Sequence, residues 1–303
     1  MLLGYYIPNG EYNNALIDAF ENLIGKRAAI IHFGQGWGNQ YPDFPATLLS
    51  NLRARGSIPM LNWGSWAPPY NRDQPAYKLS NIIRGDFDGY LATWARAAKE
   101  WGHPFFLRFD HEMNGDWYPW SESVNGNSAG EYVTMWRHVH DIFTAAGASN
   151  VVWVWSPNVV EGYPITGLYP GSAYVDWLAM DGYNYGASES WSTWKSFAQL
   201  FGNTYNQLAQ LGGQPMMIAE TGCTEIGGSK PAWFTDMLTT QLRAGRWPRL
   251  KALVYFDWNA GAENRDWPIE SSPAATDAWR AGIADAFYAA NEFASITTIP
   301  TNP

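Results

Sequence analysis

Cysteine is almost absent from this sequence, since Cys223 is the only one in 303 residues. A single thiol cannot form an intrachain disulfide, so the fold depends on its core and not on cross-links. Charged residues are scarce at 16%, and no apolar run approaches the roughly 20 residues that a transmembrane helix needs. These deficits exclude a disulfide scaffold and a membrane-spanning protein.

Basic residues are the second deficit. Lys and Arg number 19 against 28 Asp and Glu, which gives a formal net charge of −9. Binding to nucleic acid needs clustered Lys and Arg that neutralise phosphates, so we expect a neutral ligand and neither a nucleic acid nor a membrane as partner. The first residues also lack the segments of a signal peptide. We therefore expect either a cytoplasmic protein or the trimmed mature domain of a secreted one.

Aromatic residues, in contrast, are abundant. The 18 Trp and 17 Tyr outnumber the 14 Phe. Trp and Tyr rings combine an apolar face with a polar edge, which suits stacking on sugar rings, although most of them serve packing in any protein.

Short apolar runs bounded by turn residues alternate with stretches of helical period along the whole chain. Eight such runs occur, at residues 2–7, 28–33, 58–63, 104–109, 151–155, 177–180, 215–219 and 252–256. Between the third and fourth runs, apolar residues recur at the spacing of one helix face, over 87–98. The pattern predicts an α/β fold, a (β/α)8 TIM barrel that forms a single catalytic domain over residues 1–303.

Two glutamates follow predicted strands, where barrel enzymes carry their chemistry. Glu112 follows the fourth run beside Trp117 and Trp120, which can raise the pKa of an acid by desolvation, so we assign it as a proton donor. Glu220 follows the seventh run directly and is our candidate nucleophile. A carboxylate pair about 5–5.5 Å apart would act with retention of anomeric configuration, and a wider pair with inversion.

The residues around both glutamates resemble a known family. The motifs are Arg108-x-x-His111-Glu112-x-Asn114-Gly115-x-Trp117 and Ile218-Ala219-Glu220, with further matches at 169–171, 174–176, 181–184 and 266–273. In this respect the sequence resembles glycoside hydrolase family 26, over nearly its whole length. The resemblance implies a retaining hydrolase of β-linked polysaccharides that uses two glutamates.

The resemblance also implies individual roles. Glu112 would be the acid/base, with His111 and Trp117 supporting it and the substrate. Glu220 would be the nucleophile, hydrogen-bonded by Tyr183.

Two further roles follow by the same comparison. Arg108 would keep the nucleophile ionised, in agreement with the rule that a nearby cation lowers the pKa of a carboxylate. Trp258 would be a sugar platform in the subsite before the cleaved bond. Together with other side chains at strand ends, the expected substrate-binding residues are Asn62, Trp63, Trp66, Asn114, Trp117, Trp120, Asn184, Trp191 and Trp258.

The family contains mixed-linkage β-1,3-1,4-glucanases, β-1,4-mannanases and β-1,3-xylanases. Five stretches look more like its glucanases, at 114–120, 181–184, 190–191, 225–228 and 266–267, whereas Asp257-Trp258 is more mannanase-like. We therefore expect an endo-acting, lichenase-like enzyme, with a β-mannanase as the alternative. A β-1,3-xylanase, an exo-acting enzyme and a non-catalytic sugar-binding barrel are further alternatives.

Metal chemistry has little support in the sequence. His138 and His140 point to different faces of a predicted helix, and the other histidines come from separate segments without ligand spacing. We expect no metal and no cofactor, and a monomer that acts outside the cell on a polysaccharide or oligosaccharide.

Overall fold

A closed barrel of eight parallel strands, in the order of the sequence, forms the centre of the molecule. The computed structural model describes residues 1–38, 42–159, 162–259, 265–289 and 291–301. The strands are β1 (Leu2–Tyr6), β2 (Ile30–Gly36), β3 (Ile58–Gly64), β4 (Phe105–Phe109), β5 (Val151–Trp155), β6 (Trp177–Asn184), β7 (Met216–Cys223) and β8 (Leu250–Phe256). The predicted (β/α)8 barrel is confirmed.

Helices connect most of the strands. They are α1 (Asn14–Ile24), α2 (Ala46–Ala54), α3 (Leu79–Ile83), α4 (Asp88–Trp101), α5 (Glu131–Ala146), α6 (Phe197–Leu211), α7 (Lys230–Thr235), which continues as π-helix over Asp236–Arg243, and α8 (Pro273–Ile283). In the described ranges no helix lies between β5 and β6, and none is long and apolar enough to cross a membrane. The apolar spacing over 87–98 corresponds to α4.

Two apolar layers result from the alternation of side chains along the strands. The layer inside the barrel contains Leu2, Ile30, Ile58, Met60, Phe106, Val154, Trp177, Ala179, Met217, Ala219, Ala252 and Val254. The other buried apolar residues of the strands face the helices, where a larger core includes Trp63, Trp94, Trp136 and Trp279. The barrel is therefore filled with side chains, and a ligand can enter only at its ends.

Strands β6 and β7 extend four residues further than their apolar runs predict. Met180 pairs with Ile218, but the next residue, Asp181, pairs with Glu220, so Ala219 is an extra residue in β7. Such a bulge re-aims the side chain that follows it. Strict alternation after Met217 and Ala219 would turn Glu220 toward the helices, and the bulge turns it toward the barrel mouth.

Candidate active site

A layer of polar side chains covers the inner core at the C-terminal end of the barrel. Each of them lies two residues after an apolar member of that core, on β2, β3, β4 and β6, and they are His32, Asn62, Arg108 and Asp181. Alternation along the strands therefore explains why these side chains point into the mouth. Arg108 and Asp181 are completely buried.

Arg108 joins two carboxylates in this layer. Its Nη2 donates to Oδ2 of Asp181, and its Nη1 donates to Oε1 of Glu220 at 2.5 Å. Asp181 also accepts from the Ser156 hydroxyl at 3.0 Å. A buried guanidinium is costly unless it is paired, and here two carboxylates compensate for its burial. They raise the pKa of Arg108 against the opposing effect of burial, so its charge is permanent.

Both oxygens of Glu220 accept hydrogen bonds. Oε1 accepts from Arg108 and, at 3.1 Å, from Nδ2 of Asn62. Oε2 accepts from the hydroxyl of Tyr183 at 2.6 Å. Burial by itself would raise the pKa of Glu220, but the positive charge of Arg108 and the bond from Tyr183 lower it well below its usual value. Glu220 is therefore an ionised carboxylate with a fixed orientation. Its Oε1 accepts two hydrogen bonds, and its Oε2 accepts one.

Glu112 lies just beyond β4, in a strained backbone. Its φ is +54° and that of Asp110 is +39°, conformations that non-glycine residues rarely adopt. The Glu112 amide donates to the carbonyl of Ser156 at 2.7 Å, which ties this turn to the end of β5. Oδ1 and Oδ2 of Asp110 accept from the amide and hydroxyl of Ser65, each at 2.7 Å. These bonds hold Glu112 at the mouth.

The carboxyl group of Glu112 has one donor on each oxygen. Nε1 of Trp117 donates to Oε2 at 2.7 Å, and Nδ2 of Asn158 donates to Oε1 at 2.8 Å. Gly115 permits the first contact, because a Cβ atom there would lie 2.4 Å from the Trp117 ring. Burial and the negative charge of Glu220 raise the pKa of Glu112 to about 7, against the opposing effects of Arg108 and the two hydrogen bonds. Glu112 can therefore give up and regain a proton near neutral pH.

The two histidines near the glutamates are neutral. Burial lowers the pKa of His32 to about 4 and that of His111 well below its usual value. Nε2 of His32 lies 3.9 Å from Oε1 of Glu220, and Nε2 of His111 lies 3.1 Å from the hydroxyl of Tyr118. The described contacts of His111 thus run to Tyr118 and not to the carboxyl group of its neighbour Glu112.

Several predicted substrate-binding residues occupy other positions. Trp63 and Trp120 are both 0% exposed, so the prediction that they line the cleft is wrong. Trp63 follows the inward-facing Asn62 and therefore faces the helices, where it stacks on Trp94 at 4.5 Å. Trp120 donates its Nε1 to the carbonyl of His111 at 2.7 Å and supports the turn from beneath.

Two amide side chains that were predicted to bind the substrate, Asn114 and Asn184, form hydrogen bonds within the protein. Asn114 is buried and spans the loops, donating to the carbonyls of Asn158 and Tyr163 at 2.9 and 3.0 Å. Asn184 is buried, and its oxygen accepts from the amides of Gly186 and Lys195. The described hydrogen bonds of both amides thus run to the protein's own loops.

The other predicted aromatic residues are accessible. Trp191 is 68% exposed and Trp258 is 43% exposed, whereas Trp66 and Trp117 are half-buried. Trp191 lies edge-on to Tyr185 at 4.8 Å, in the loop after β6, and Trp258 lies edge-on to Phe256 at the end of β8. Both belong to loops on the side of the barrel where the glutamates lie.

Sequence reasoning did not select three contributors to the site. Asp181 shares Arg108 with Glu220, Asn158 donates to Glu112, and His32 lies beside Glu220. Asp181 and His32 could have been found from the two-residue period of the strands, since each lies two positions after an apolar residue that points into the barrel. Asn158 lies in a loop, and no periodic signal precedes it.

A metal site is not formed by the side chains that the structure describes, in which no group of three or more His, Cys, Asp or Glu could hold an ion. The chemistry available at the mouth is that of two carboxyl groups whose pKa values differ strongly. One can donate a proton at neutral pH, while the other remains ionised and can attack an electrophilic carbon.

The chain is similar to one known protein family and to several known proteins. The model of glycosyl hydrolase family 26 matches residues 56–240. Endoglucanase H of Acetivibrio thermocellus is 36% identical over 279 residues, which cover 89% of this chain and 29% of that protein. Mannan endo-1,4-beta-mannosidase of Bacillus subtilis strain 168 is 26% identical, over 66% of this chain and 53% of that protein. The chain thus spans less than two thirds of the length of either relative.

Solved structures give the same fold. An endo-beta-1,4-mannanase of Cellulomonas fimi, a double mutant, superposes with a TM-score of 0.70 at 20% sequence identity. The superposition covers 98% of this chain and 74% of that one.

Proposed function

The chain belongs to glycosyl hydrolase family 26, and from this membership we propose that it hydrolyses internal bonds of a β-1,4-linked mannan with retention of configuration. Glu112 is the acid/base and Glu220 the nucleophile. The observation that carries the assignment is the opposite electrostatic environment of the two carboxyl groups. Arg108 and Tyr183 stabilise the charged form of Glu220, while burial and the charge of Glu220 stabilise the protonated form of Glu112.

The reaction has two displacements. In the first, Oε2 of Glu220 attacks the anomeric carbon, and the glycosidic bond breaks with its electron pair on the leaving oxygen, which takes the proton of Glu112. The result is a glycosyl ester of Glu220 and an ionised Glu112. In the second, water gives a proton to Glu112 and its oxygen attacks the same carbon, while the ester bond breaks and returns the carboxylate. Two inversions at one carbon give net retention.

Mannan replaces mixed-linkage glucan as the first substrate. The Bacillus subtilis relative and the Cellulomonas fimi structure both have the names of β-1,4-mannanases, and the exposed Trp258 after β8 is a mannanase-like feature of this sequence. Glucan is the second candidate, because the 36% identical relative is named an endoglucanase. A polysaccharide is too large to enter a cell, so we also infer that the enzyme acts outside it.

One experiment tests this proposal. The protein is incubated with galactomannan, barley-type β-glucan, β-1,3-xylan and cellulose, and the lengths and anomeric configuration of the first products are followed together. We expect a range of oligosaccharides in the β configuration, released fastest from galactomannan. Faster release from β-glucan would make the second substrate correct, α products would exclude double displacement, and monomers alone would exclude endo action. Binding without new reducing ends would indicate a non-catalytic barrel.

The pH profile of the reaction follows from the proton on Glu112. The donor is active only when protonated, so kcat/KM should fall as pH rises through its pKa of about 7. The bond from Trp117 favours the charged form, and Trp117→Phe should therefore move this alkaline limb to higher pH. Initial rates on soluble galactomannan, measured over a pH series for the wild type and for Trp117→Phe, give the alkaline limb of each protein. A wild-type profile that stays flat through neutral and alkaline pH would contradict the assignment of Glu112.

Trp258 and Trp63 make a matched pair of tryptophans for a second test. Trp258→Ala removes an exposed ring, and we expect KM to rise several-fold, on the order of 10-fold at most, with unchanged thermal stability. Trp63→Ala empties a fully buried position and should lower the free energy of unfolding by about 3–5 kcal/mol. Michaelis kinetics and denaturant unfolding measure the two effects. A loss of stability in Trp258→Ala would indicate that this ring serves packing.

A further inference from the structure

The ring of Tyr183, whose hydroxyl donates to the proposed nucleophile Glu220, packs against a second aromatic ring. Tyr183 stacks on Trp267, with ring centroids 4.3 Å apart and planes at 18°. Gly222 permits this stack, because a Cβ atom there would lie 3.0 Å from both rings. Trp267 is buried, and its Nε1 has no hydrogen-bond partner among the described residues, so its connection to the carboxyl group of Glu220 runs through the ring and hydroxyl of Tyr183.

A buried lysine fixes the segment that contains Trp267. The Nζ atom of Lys230 donates to the carbonyls of Asp266, Trp267 and Pro268 at 2.6, 3.1 and 2.6 Å, and to the hydroxyl of Ser271 at 2.8 Å. Lys230 begins α7 and is 0% exposed. Burial of an ammonium group is unfavourable unless its donors are satisfied, and here one short segment satisfies all of them.

Additional contacts hold the same segment from other sides. The hydroxyl of Tyr255 donates to the Trp267 carbonyl at 2.6 Å. The guanidinium of Arg265 lies over the Trp267 ring at 5.4 Å and over the Tyr185 ring at 5.0 Å, and it pairs with Glu189 at 3.3 Å. The Trp267 ring therefore has a fixed position relative to β7 and β8.

We propose that Trp267 is a positioning residue for the nucleophile: anchored by Lys230, its indole fixes the ring of Tyr183 and thereby the Oε2 atom of Glu220. The inference rests on the proposed function of Glu220. A single hydrogen bond holds Oε2, so a shift of the Tyr183 ring changes the direction from which this oxygen approaches the anomeric carbon. Small misplacements of reacting atoms are costly, and a shift of about 1 Å can reduce rates by about 100-fold.

The test compares Trp267→Leu, Trp267→Phe and Lys230→Met on dinitrophenyl β-mannobioside and β-cellobioside. Their leaving groups need no proton, so the rate of the initial burst of dinitrophenolate reports the attack of Glu220 and not the action of Glu112. We expect Trp267→Leu to lower this burst rate by about 10- to 100-fold with substrate affinity little changed, and Lys230→Met to have a smaller effect in the same direction. Trp267→Phe retains a stacking ring and should recover most of the rate.

Two controls separate positioning from stability. Trp247→Leu removes another buried tryptophan, located before β8 at the opposite end of the barrel, and should lower thermal stability without changing kcat. In a Tyr183→Phe background, which already lacks the hydrogen bond, Trp267→Leu should cause little additional loss, since both act on one contact. Equal losses of stability in the two Leu variants with the burst rate unchanged would overturn the proposal, and so would additive losses of burst rate in the Tyr183→Phe background.

A titration without substrate completes the test. The hydrogen bond from Tyr183 favours the charged form of Glu220, so Trp267→Leu should raise the pKa of this carboxyl group, as followed by carbon-13 resonances of glutamate in acid solution. An unchanged pKa would overturn the positioning role even if the wild-type protein hydrolyses nothing. If the wild type cleaves no glycoside but the pKa rises, the proposed function fails and the positioning of Glu220 stands.

Discussion

Glu220→Ala should abolish hydrolysis, with a loss of at least about 10⁴-fold in kcat, as expected when a nucleophile is removed. The reason is geometric and electrostatic. Arg108, Asn62 and Tyr183 direct their donors at this one carboxylate. No other described carboxyl group accepts a bond from Tyr183, so none can replace Glu220 as nucleophile. Rates on galactomannan and on a dinitrophenyl glycoside should both fall, because the first displacement is lost in either case.

A small anion should restore part of the activity of Glu220→Ala. The substitution leaves space beside the Arg108 guanidinium, where azide or formate can bind and attack the anomeric carbon of the dinitrophenyl glycoside. Only one displacement then occurs, so the azide product should have the inverted configuration. Retained configuration in that product, or full activity in the variant, would exclude Glu220 as nucleophile.

A surface glutamate provides the control for this substitution. Glu100 is exposed near the end of α4, just before β4 begins, and so lies at the opposite end of the barrel from the mouth. Glu100→Ala should leave both kcat and thermal stability unchanged. Asp181 still pairs with Arg108 in Glu220→Ala, so we expect that variant to fold, which circular dichroism can verify.

The sequence was sufficient to predict the barrel, because apolar runs alternate with helical stretches along most of it, the connection between β5 and β6 being the exception in the described residues. Its strand ends were less predictable. The apolar runs of β6 and β7 end at Met180 and Ala219, but each strand continues for four more residues, which begin with Asp181 in β6 and Glu220 in β7. Where a strand lines the barrel mouth its side chains are polar, so this part of the strand looks like a loop in the sequence. Ion pairs and hydrogen bonds with Arg108, and not apolar contacts, compensate for the burial of these polar side chains.

Burial distinguishes two tryptophans that look equivalent in sequence. Trp63 and Trp258 both lie at the ends of strands, and both were expected in the cleft. Trp63 alternates with the inward-facing Asn62, so its position in the core could have been deduced from the two-residue period. The orientation of Glu220 could not, since it depends on the extra residue Ala219, which is visible only in the pairing of β6 with β7.

Glu112→Gln should have an effect that depends on the leaving group. On galactomannan we expect kcat/KM to fall by about 10²- to 10⁴-fold, the usual contribution of a general acid. On a dinitrophenyl glycoside the first displacement needs no proton and should proceed at nearly the wild-type rate. The glutamine side chain has the same length and the same backbone requirement at φ +54°, so the turn at the end of β4 should be preserved.

The second displacement makes the prediction for Glu112→Gln more specific. Water must lose a proton to Glu112 as it attacks the glycosyl ester, and a glutamine cannot accept it. With the dinitrophenyl substrate the variant should therefore release one equivalent of phenolate in a burst and then stall, while mass spectrometry detects Glu220 carrying the sugar. On galactomannan, where the leaving group does need a proton, the alkaline limb near pH 7 should disappear from the residual kcat/KM, because the group that titrates there is gone. A variant with wild-type turnover on galactomannan, or one without a burst, would contradict the role of Glu112 as the single group that donates and later accepts the proton.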